Sequence, residues 1–315
     1  MKKFIIVSLI FLTACAAPQT PVSQPTPTSL PTSLPPTATA VLPLPTETAV
    51  PTATQAPTEE TVDQRISTVD GMPQMYIPAG TFHMGGMDVR RAPNETPDHD
   101  VTLDAFWMDQ LEVTNAMYTL CVNAGACTMP QSLKSPRRPS YFDNPEFKDY
   151  PVIYVTWGQA ETYCEWAGRR LPTEAEWERA GRGDDFRTFP WGEDKADGLR
   201  ANFNMLVGDT SRVGTYPAGA SPFGVLDMAG NVAEWVNDLY SGSYTNAETV
   251  NPQGPQSEAS LNRVVRGGSL MDAEINIRVS KRSSVLGPAF GIPLDESISL
   301  GDFSPRIGFR CAESE

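Results

Sequence analysis

The sequence predicts an α+β fold with little regular secondary structure. Three observations carry that expectation. From Pro73 onward the composition shifts to Gly, Trp, Tyr and dispersed charge. Two capping boxes, Thr156-Trp157-Gly158-Gln159 and Thr173-Glu174-Ala175-Glu176, each open a helix that a glycine soon closes. Elsewhere the apolar runs span a few residues between turn formers, which is the pattern of brief strands.

Taken in order, Met75-Tyr76-Ile77 and Thr81-Phe82-His83-Met84 flank a Pro-Ala-Gly turn and are expected to pair as strands. In the second, Met84 packs inward and His83 sits at the edge; a soft metal site built from His83, Met84 and Met87 is the weaker reading. Val101 to Leu103 and Ala105 to Met108 read as further strands. Thr114 can cap a helix running to about Val122, ahead of Gly125. Val152 to Val155 reads as a strand leading into the first capping box. The helix that follows places Trp157, Ala160, Tyr163, Cys164 and Ala167 on one apolar stripe and stops at Gly168. In the next helix Glu174 and Glu176 lie where the helix dipole favours acid. After Gly181 little is periodic until Ile307-Gly308-Phe309-Arg310-Cys311. Glu174, Glu176, Glu178, Arg169 and Arg170 read as helix-end ion pairs on a solvated face. The six tryptophans read mostly as core.

The chain has 315 residues and a formal charge of −14, with 38 acidic against 24 basic residues. Nearly all of that excess lies after residue 60. An acidic domain cannot neutralise phosphates, so nucleic acid is not an expected partner. An anionic lipid surface would also repel it, so attachment to a membrane needs a separate device. Residues 1–15 supply one. Lys2 and Lys3 precede the apolar run Phe4 to Leu12, too short to span a bilayer that needs about 20 residues. Leu12-Thr13-Ala14-Cys15 resembles a bacterial lipobox, with Cys15 the lipidated residue. Residues 16–70 are expected to be a tether. Within it, the 41 residues from Pro18 to Thr58 hold 11 Pro, 11 Thr and a single charge, Glu47. Such a segment favours extended polyproline II and reaches on the order of 130 Å. The expected location is therefore extracytoplasmic, on a lipid anchor, with residues 71–315 as one folded and monomeric domain.

Apart from Cys15 there are four cysteines, Cys121, Cys127, Cys164 and Cys311. An even number in an exported domain suggests two disulfides and allows three connectivities. Cys121 and Cys127 flank Val-Asn-Ala-Gly-Ala, a loop short enough to permit a local bridge. That choice would leave Cys164 for Cys311.

The domain's phrases resemble the formylglycine-generating enzyme family, also called sulfatase-modifying-factor domains. They are IPAGTFHMGG at 77–86, FWMDQLEVTNAMY at 106–118 and PVIYVTWGQAETYCEWAGRRLPTEAEWERAGRG at 151–183. FPWG at 189–192, AN at 201–202, SPFGVLDMAGNVAEWVNDLY at 221–240, VVRGGS at 264–269 and PRIGFRCA at 305–312 follow. The resemblance implies C-type-lectin-like topology and a Cys164–Cys311 disulfide. It also implies two calcium sites. One would use the Asp227 side chain, the Gly230 and Val232 carbonyls and Glu234; the other would use Asn202, the Phe203 carbonyl and Asp209. Calcium takes six to eight oxygens in flexible geometry, which such turns can provide.

Family oxidases turn a substrate cysteine into formylglycine with copper(I) held by two thiolates. Copper(I) is soft and favours low-coordinate sulfur. The resemblance puts that pair between the RGGS and GFRC phrases, yet Leu270 to Phe309 contains no cysteine. Ala233 stands where the family carries Trp, and Arg306 where Asn is common; both positions line the family's substrate cleft. Copper is therefore not expected. Neither is a serine hydrolase, because Ser269 lacks the nucleophile elbow and a histidine base. Arg266, Arg278, Arg282 and Arg310 are expected to organise buried loops through backbone carbonyls. The reading is a tethered, non-catalytic module that binds a peptide, glycan or protein. The alternative is an oxidase or other family enzyme acting on an exported protein.

Overall fold

The structure, a computed structural model, describes residues 63–245, 247–256, 262–286 and 303–315. The lipidation site Cys15 and the tether up to residue 62 lie outside them. Ten short strands, three short α-helices and four single-turn 3-10 helices make up the regular structure among the described residues. Strand β1 (Gln64–Ile66) pairs antiparallel with β2 (Pro73–Ile77). Strand β2 pairs with β5 (Phe106–Asp109), which pairs with β10 (Ala312–Ser314). Strand β3 (Gly80–Met84) pairs with β4 (His99–Leu103) in a separate hairpin. The third sheet runs in the order β8 (Arg282–Leu286), β7 (Asn262–Arg266), β6 (Ala233–Leu239), β9 (Ile307–Phe309). Its β6–β9 edge is parallel.

Two expectations about strand pairing fail. The strands beside Pro-Ala-Gly exist but do not pair with each other: β2 joins β1 and β5, while β3 joins β4. Val152 to Val155 is not a strand, because Tyr154 adopts φ 59° and turns the chain. Its amides instead bond singly to Val113 and Ser304 carbonyls. The folded unit also begins before residue 71. Strand β1 belongs to the first sheet, and Asp70 is buried against Arg169 and Tyr163.

Helix starts follow the sequence closely. In α1 (Asn115–Asn123) the Thr114 hydroxyl accepts the Met117 amide at 3.2 Å. Helices α2 (Trp157–Trp166) and α3 (Glu174–Arg182) both carry complete capping boxes. Trp157, Ala160, Tyr163, Cys164 and Ala167 are buried as one stripe of α2. Disulfides join Cys121 to Cys127 and Cys164 to Cys311, with Cα separations of 5.3 and 5.6 Å. The second ties α2 to the link between β9 and β10 inside the larger apolar core.

Strand β6 runs between two cores. Trp235 packs with Val155, Trp157 and Phe309, whereas Val236 packs with Trp177, Met228 and Val264. Burial on both faces removes the alternation that identifies a strand, which is why this sheet was not legible. Trp157, Trp177 and Trp235 are core; Trp107, Trp166 and Trp191 are only half-buried.

The face of α3 expected to be solvated is the polar centre of the molecule. Glu174 and Glu178, one turn apart, are 3% and 0% exposed. Arg266 bridges them, Arg282 forks onto Glu174 at 2.6 and 2.7 Å, and Arg182 pairs with Glu178 at 2.8 Å. Arg169 is likewise buried, between Asp70 and Asp109. Only Arg170 and Glu176 form the partly exposed pair that was expected. The four late arginines do reach carbonyls, but each also meets a buried carboxylate: Glu174 and Glu178, Glu95, Glu174 and Glu234 respectively.

His83 sits at the strand edge and Met84 is buried, as expected. The two ring nitrogens of His83 lie 2.7 Å from Asp100 and 2.8 Å from Asp98. Burial lowers its basicity, but the hydrogen bonds and charges of the two carboxylates together outweigh that and raise it above the usual histidine range.

Candidate functional site

A cleft of about 140 Å³ opens where β6, β7, β8 and β9 meet the loop after β7. Ala233 and Ile307 form its floor, paired in register across the parallel β6–β9 edge. Ser283, Ser284 and Val285 come from β8, and Ser269, Asp272 and Asn276 from the loop. Arg306 is exposed at the mouth, and its carbonyl accepts the Ala233 amide at 2.9 Å. Ala233 and Arg306, the two positions at which the sequence departs from the phrases it resembles, are thus brought together in one cleft.

The loop is built by its own polar groups. Asp272 Oδ2 accepts the Ser269 hydroxyl at 2.6 Å and the Ser269 amide at 2.9 Å. Gly268 has φ 64°, and a Cβ there would lie 2.4 Å from the Asn276 carbonyl, so only glycine allows the close turn. Asn204 and Met205 donate their amides to the Asp272 and Leu270 carbonyls at 2.8 and 2.7 Å. Among the described residues the lining offers hydroxyls, one amide, one carboxylate, one guanidinium and no sulfur. Ser269 gives its proton to Asp272 rather than to a histidine, so the pair closes the loop and does not make a nucleophile. Ser280 is not in the cleft; its hydroxyl donates to Glu95.

The two sets of proposed calcium ligands are joined: the Asn231 amide donates to the Asn202 carbonyl at 2.7 Å. Gly230, at φ 81°, packs so close that a Cβ would sit 2.4 Å from that carbonyl. Several ligands are already engaged by the protein. Glu234 takes Arg310 on both oxygens and the Trp177 indole at 2.7 Å. Asp209 accepts from Ser135, the Arg137 amide and the Thr210 amide. The Phe203 carbonyl accepts the Leu206 amide at 2.9 Å.

Two members keep capacity. The buried Asn202 Oδ1 has no hydrogen-bond partner among the described residues. Among the described residues Asp227 accepts only through Oδ2, from the Gly214 amide at 2.6 Å. Val232 contributes an amide, not only a carbonyl: it donates to Glu112 Oε1 at 3.1 Å. Glu112 was missed in the sequence although it sits inside the LEVTN phrase. Burial, with Asp227 and Glu234 close by, pushes its carboxyl well above the usual range. Burial also raises Asp227 to about 6. Three carboxylates thus face one guanidinium, Arg310. Among the described residues no three His, Cys, Asp or Glu groups converge on one metal-sized point, so any cation here must draw on amide and backbone oxygens.

Comparison with known proteins places this geometry. The model of the sulfatase-modifying factor enzyme 1-like domain matches residues 58–315. The chain is 34% identical over 244 residues to the formylglycine-generating enzyme of Bos taurus, covering 62% of this chain and 65% of the bovine protein. It therefore spans slightly less than two thirds of that relative's length. It is 33% identical over 292 residues to the formylglycine-generating enzyme of Streptomyces coelicolor, covering 76% of this chain and 88% of the relative. Among solved structures, PvdO from Pseudomonas aeruginosa aligns with a TM-score of 0.67 and 26% identity, over 80% of this chain and 98% of that one.

Proposed function

The chain belongs to the sulfatase-modifying factor family, and from that premise we propose that it is a binding module and not a copper oxidase. Its cleft would engage a peptide, glycan or protein ligand while a lipid on Cys15 holds it to a membrane outside the cytoplasm. The observation that carries this reading is the lining of the cleft. Hydroxyls, Asp272 and Arg306 stand there, and the domain's four cysteines are spent in disulfides. Disulfide sulfur cannot act as thiolate, and hydroxyls are poor donors for soft copper(I). Copper thus does not fit this donor set. Binding does not need it, since shape and polar contacts in the cleft are independent of a metal.

The competing reading, an oxidase, is favoured by the names of the relatives and is tested at the end of the Discussion. The binding reading is tested by probing peptide and glycan arrays with the wild-type domain and with Arg306→Glu. Ligands bound by the wild type should weaken at least tenfold on reversal of the charge at the mouth. Equal binding by both proteins would remove the cleft from the account. A Cys15→Ser chain should leave the membrane fraction; one that stays there would remove the anchor.

Calcium is proposed as a structural ion at each of the two sets, one on Asp227 with the Gly230 and Val232 carbonyls and Glu234, the other on Asn202 Oδ1 with the Phe203 carbonyl and Asp209. The buried, unpartnered amide oxygen supports this, as does the surplus of negative charge around Arg310. Binding to the native state alone contributes about 2.7 kcal/mol at a hundredfold excess over Kd. Chelation should therefore lower the melting temperature at pH 7, and calcium should restore it. The response should shrink at pH 5, where Asp227 holds its proton, and in Asn202→Leu and Asp227→Asn. Melting curves identical with and without chelator would overturn the assignment. Glu234→Gln is a poor probe, because it also strips Arg310 of its partner.

A further inference from the structure

A second concavity, of about 430 Å³, lies beside the N-terminus of α3 and shares no residue with the cleft. Its size suits a small ligand or a single long side chain. Met84, Ala175, Tyr244, Pro252 and Pro255 give it apolar walls. The question is what its polar groups can still bind.

Most of them are spent. Glu174 accepts from Arg266, twice from Arg282, and from the Tyr244 hydroxyl. Arg282 spends four of its five N–H donors, on both oxygens of Glu174 and on the Asn94 and Ser241 carbonyls, so its charge is already matched. The Tyr244 ring lies under the same guanidinium at 4.0 Å. Asp238 differs. It is only 4% exposed, and its Oδ2 accepts the Glu174 amide at 2.7 Å. Its Oδ1 accepts no hydrogen bond from any described residue. Beside Oδ1 runs the backbone of Gly254, where a Cβ would come within 2.7 Å of that oxygen. Glu248 stands exposed on the rim and adds a negative charge there.

We propose that this cavity binds a protonated alkylamine or alkylguanidine, its N–H groups donating to Asp238 Oδ1 and its carbon stem lying along Tyr244 and the prolines. An anion would meet the carboxylates of Glu174 and Glu248 in the same wall, and a neutral ligand would gain no charge pairing with Asp238 once its proton has left. Burial, then Glu174 and Glu176, raise the Asp238 carboxyl to about 8, while Arg282 opposes them. Arg170 and Arg263, the latter on the neighbouring strand, and His99 and Glu248, on the cavity wall and rim, are further charged or titratable groups nearby. At pH 7 the empty cavity thus holds a proton on Asp238. The incoming cation displaces it, one proton released for each cation bound. Affinity should rise with pH towards 8 and fall about tenfold from pH 7 to pH 6.

The test is calorimetric titration of the full chain with n-butylamine, n-butylguanidine and, as control, n-butyrate. The expected result is saturable binding of a cation at pH 8, release of a proton near pH 7, and no butyrate binding. Asp238→Asn should weaken binding at least tenfold, and His99→Asn should leave the pH slope between 7 and 8 in place. Should Asp238→Asn fail to fold, weaker binding by Glu248→Gln together with proton release by the wild type supports the proposal in its place. N-acetyl-lysine N-methylamide binding more tightly than butylamine would assign a partner's basic side chain; the reverse order would assign a free amine. Cation binding unchanged in Asp238→Asn, binding without proton release, butyrate binding as well as the amine, or no cation binding at millimolar concentration would each overturn the proposal.

Discussion

A domain carrying Cys164→Ala and Cys311→Ala together is expected to lose about 3 to 5 kcal/mol of stability. The two cysteines are 147 residues apart in sequence, so the bridge removes much of the freedom of the unfolded chain. They also join α2 to the β9–β10 link at the centre of the larger core, where both are fully buried. A loss of that size lowers the melting temperature by roughly 10 °C in a domain of this length. The Cys121–Cys127 bridge closes a loop with a separation of only 6. Its removal should cost about half as much in the same chain-entropy treatment. Thermal melts of the two double variants make the comparison; equal losses, or none from the long-range pair, would contradict it.

Glu174→Gln is expected to cost about 3 to 5 kcal/mol, because it leaves two buried guanidinium groups, Arg266 and Arg282, short of a counter-charge. Burial alone would raise the Glu174 carboxyl; Arg282 and Arg266 overcome that and hold it below the usual range. A carboxyl lowered on folding stabilises above its unfolded pKa, and that contribution is lost as pH falls through the folded one. The wild type should therefore weaken steeply in acid, below the ordinary carboxylate range, and Glu174→Gln should lose that part of the pH dependence. Arg90→Ala, which breaks an exposed pair with Asp88, should change stability by less than about 1 kcal/mol. Similar losses in both variants would mean that the centre of α3 is not the electrostatic hub described here.

What the sequence made legible divides along physical lines. Helix starts were readable because a cap is local: Thr156 with Gln159 and Thr173 with Glu176 fix their turns with residues three apart. Both disulfides were accessible because few cysteines leave few pairings. The cleft was partly readable, since Ala233 and Arg306 stood out against the phrases around them. What failed depends on distant partners. Charge at Glu174, Glu178 and Arg169 suggests solvent, and only the opposing Arg266, Arg282, Asp70 and Asp109 make burial tolerable. Strand β6 carries Glu234 and Asp238 among apolar residues and is buried on both faces, so it shows no period. Asp238 itself gave no signal, because its uncommitted oxygen is defined by the closeness of Gly254 and Tyr244, far along the chain.

The central claim is that this domain keeps the family's cleft without its copper chemistry. The most direct measurement is mass spectrometry of a Cys-x-Pro-x-Arg peptide after aerobic incubation with the purified domain, copper and reductant. Oxidation by the family's route needs copper(I) held by protein thiolates beside the substrate thiol, and here the cleft presents Ser269, Asp272, Ser283 and Arg306. The account predicts that the peptide cysteine is recovered at the level of the control without enzyme. Formylglycine above that control would contradict it and make this chain an oxidase.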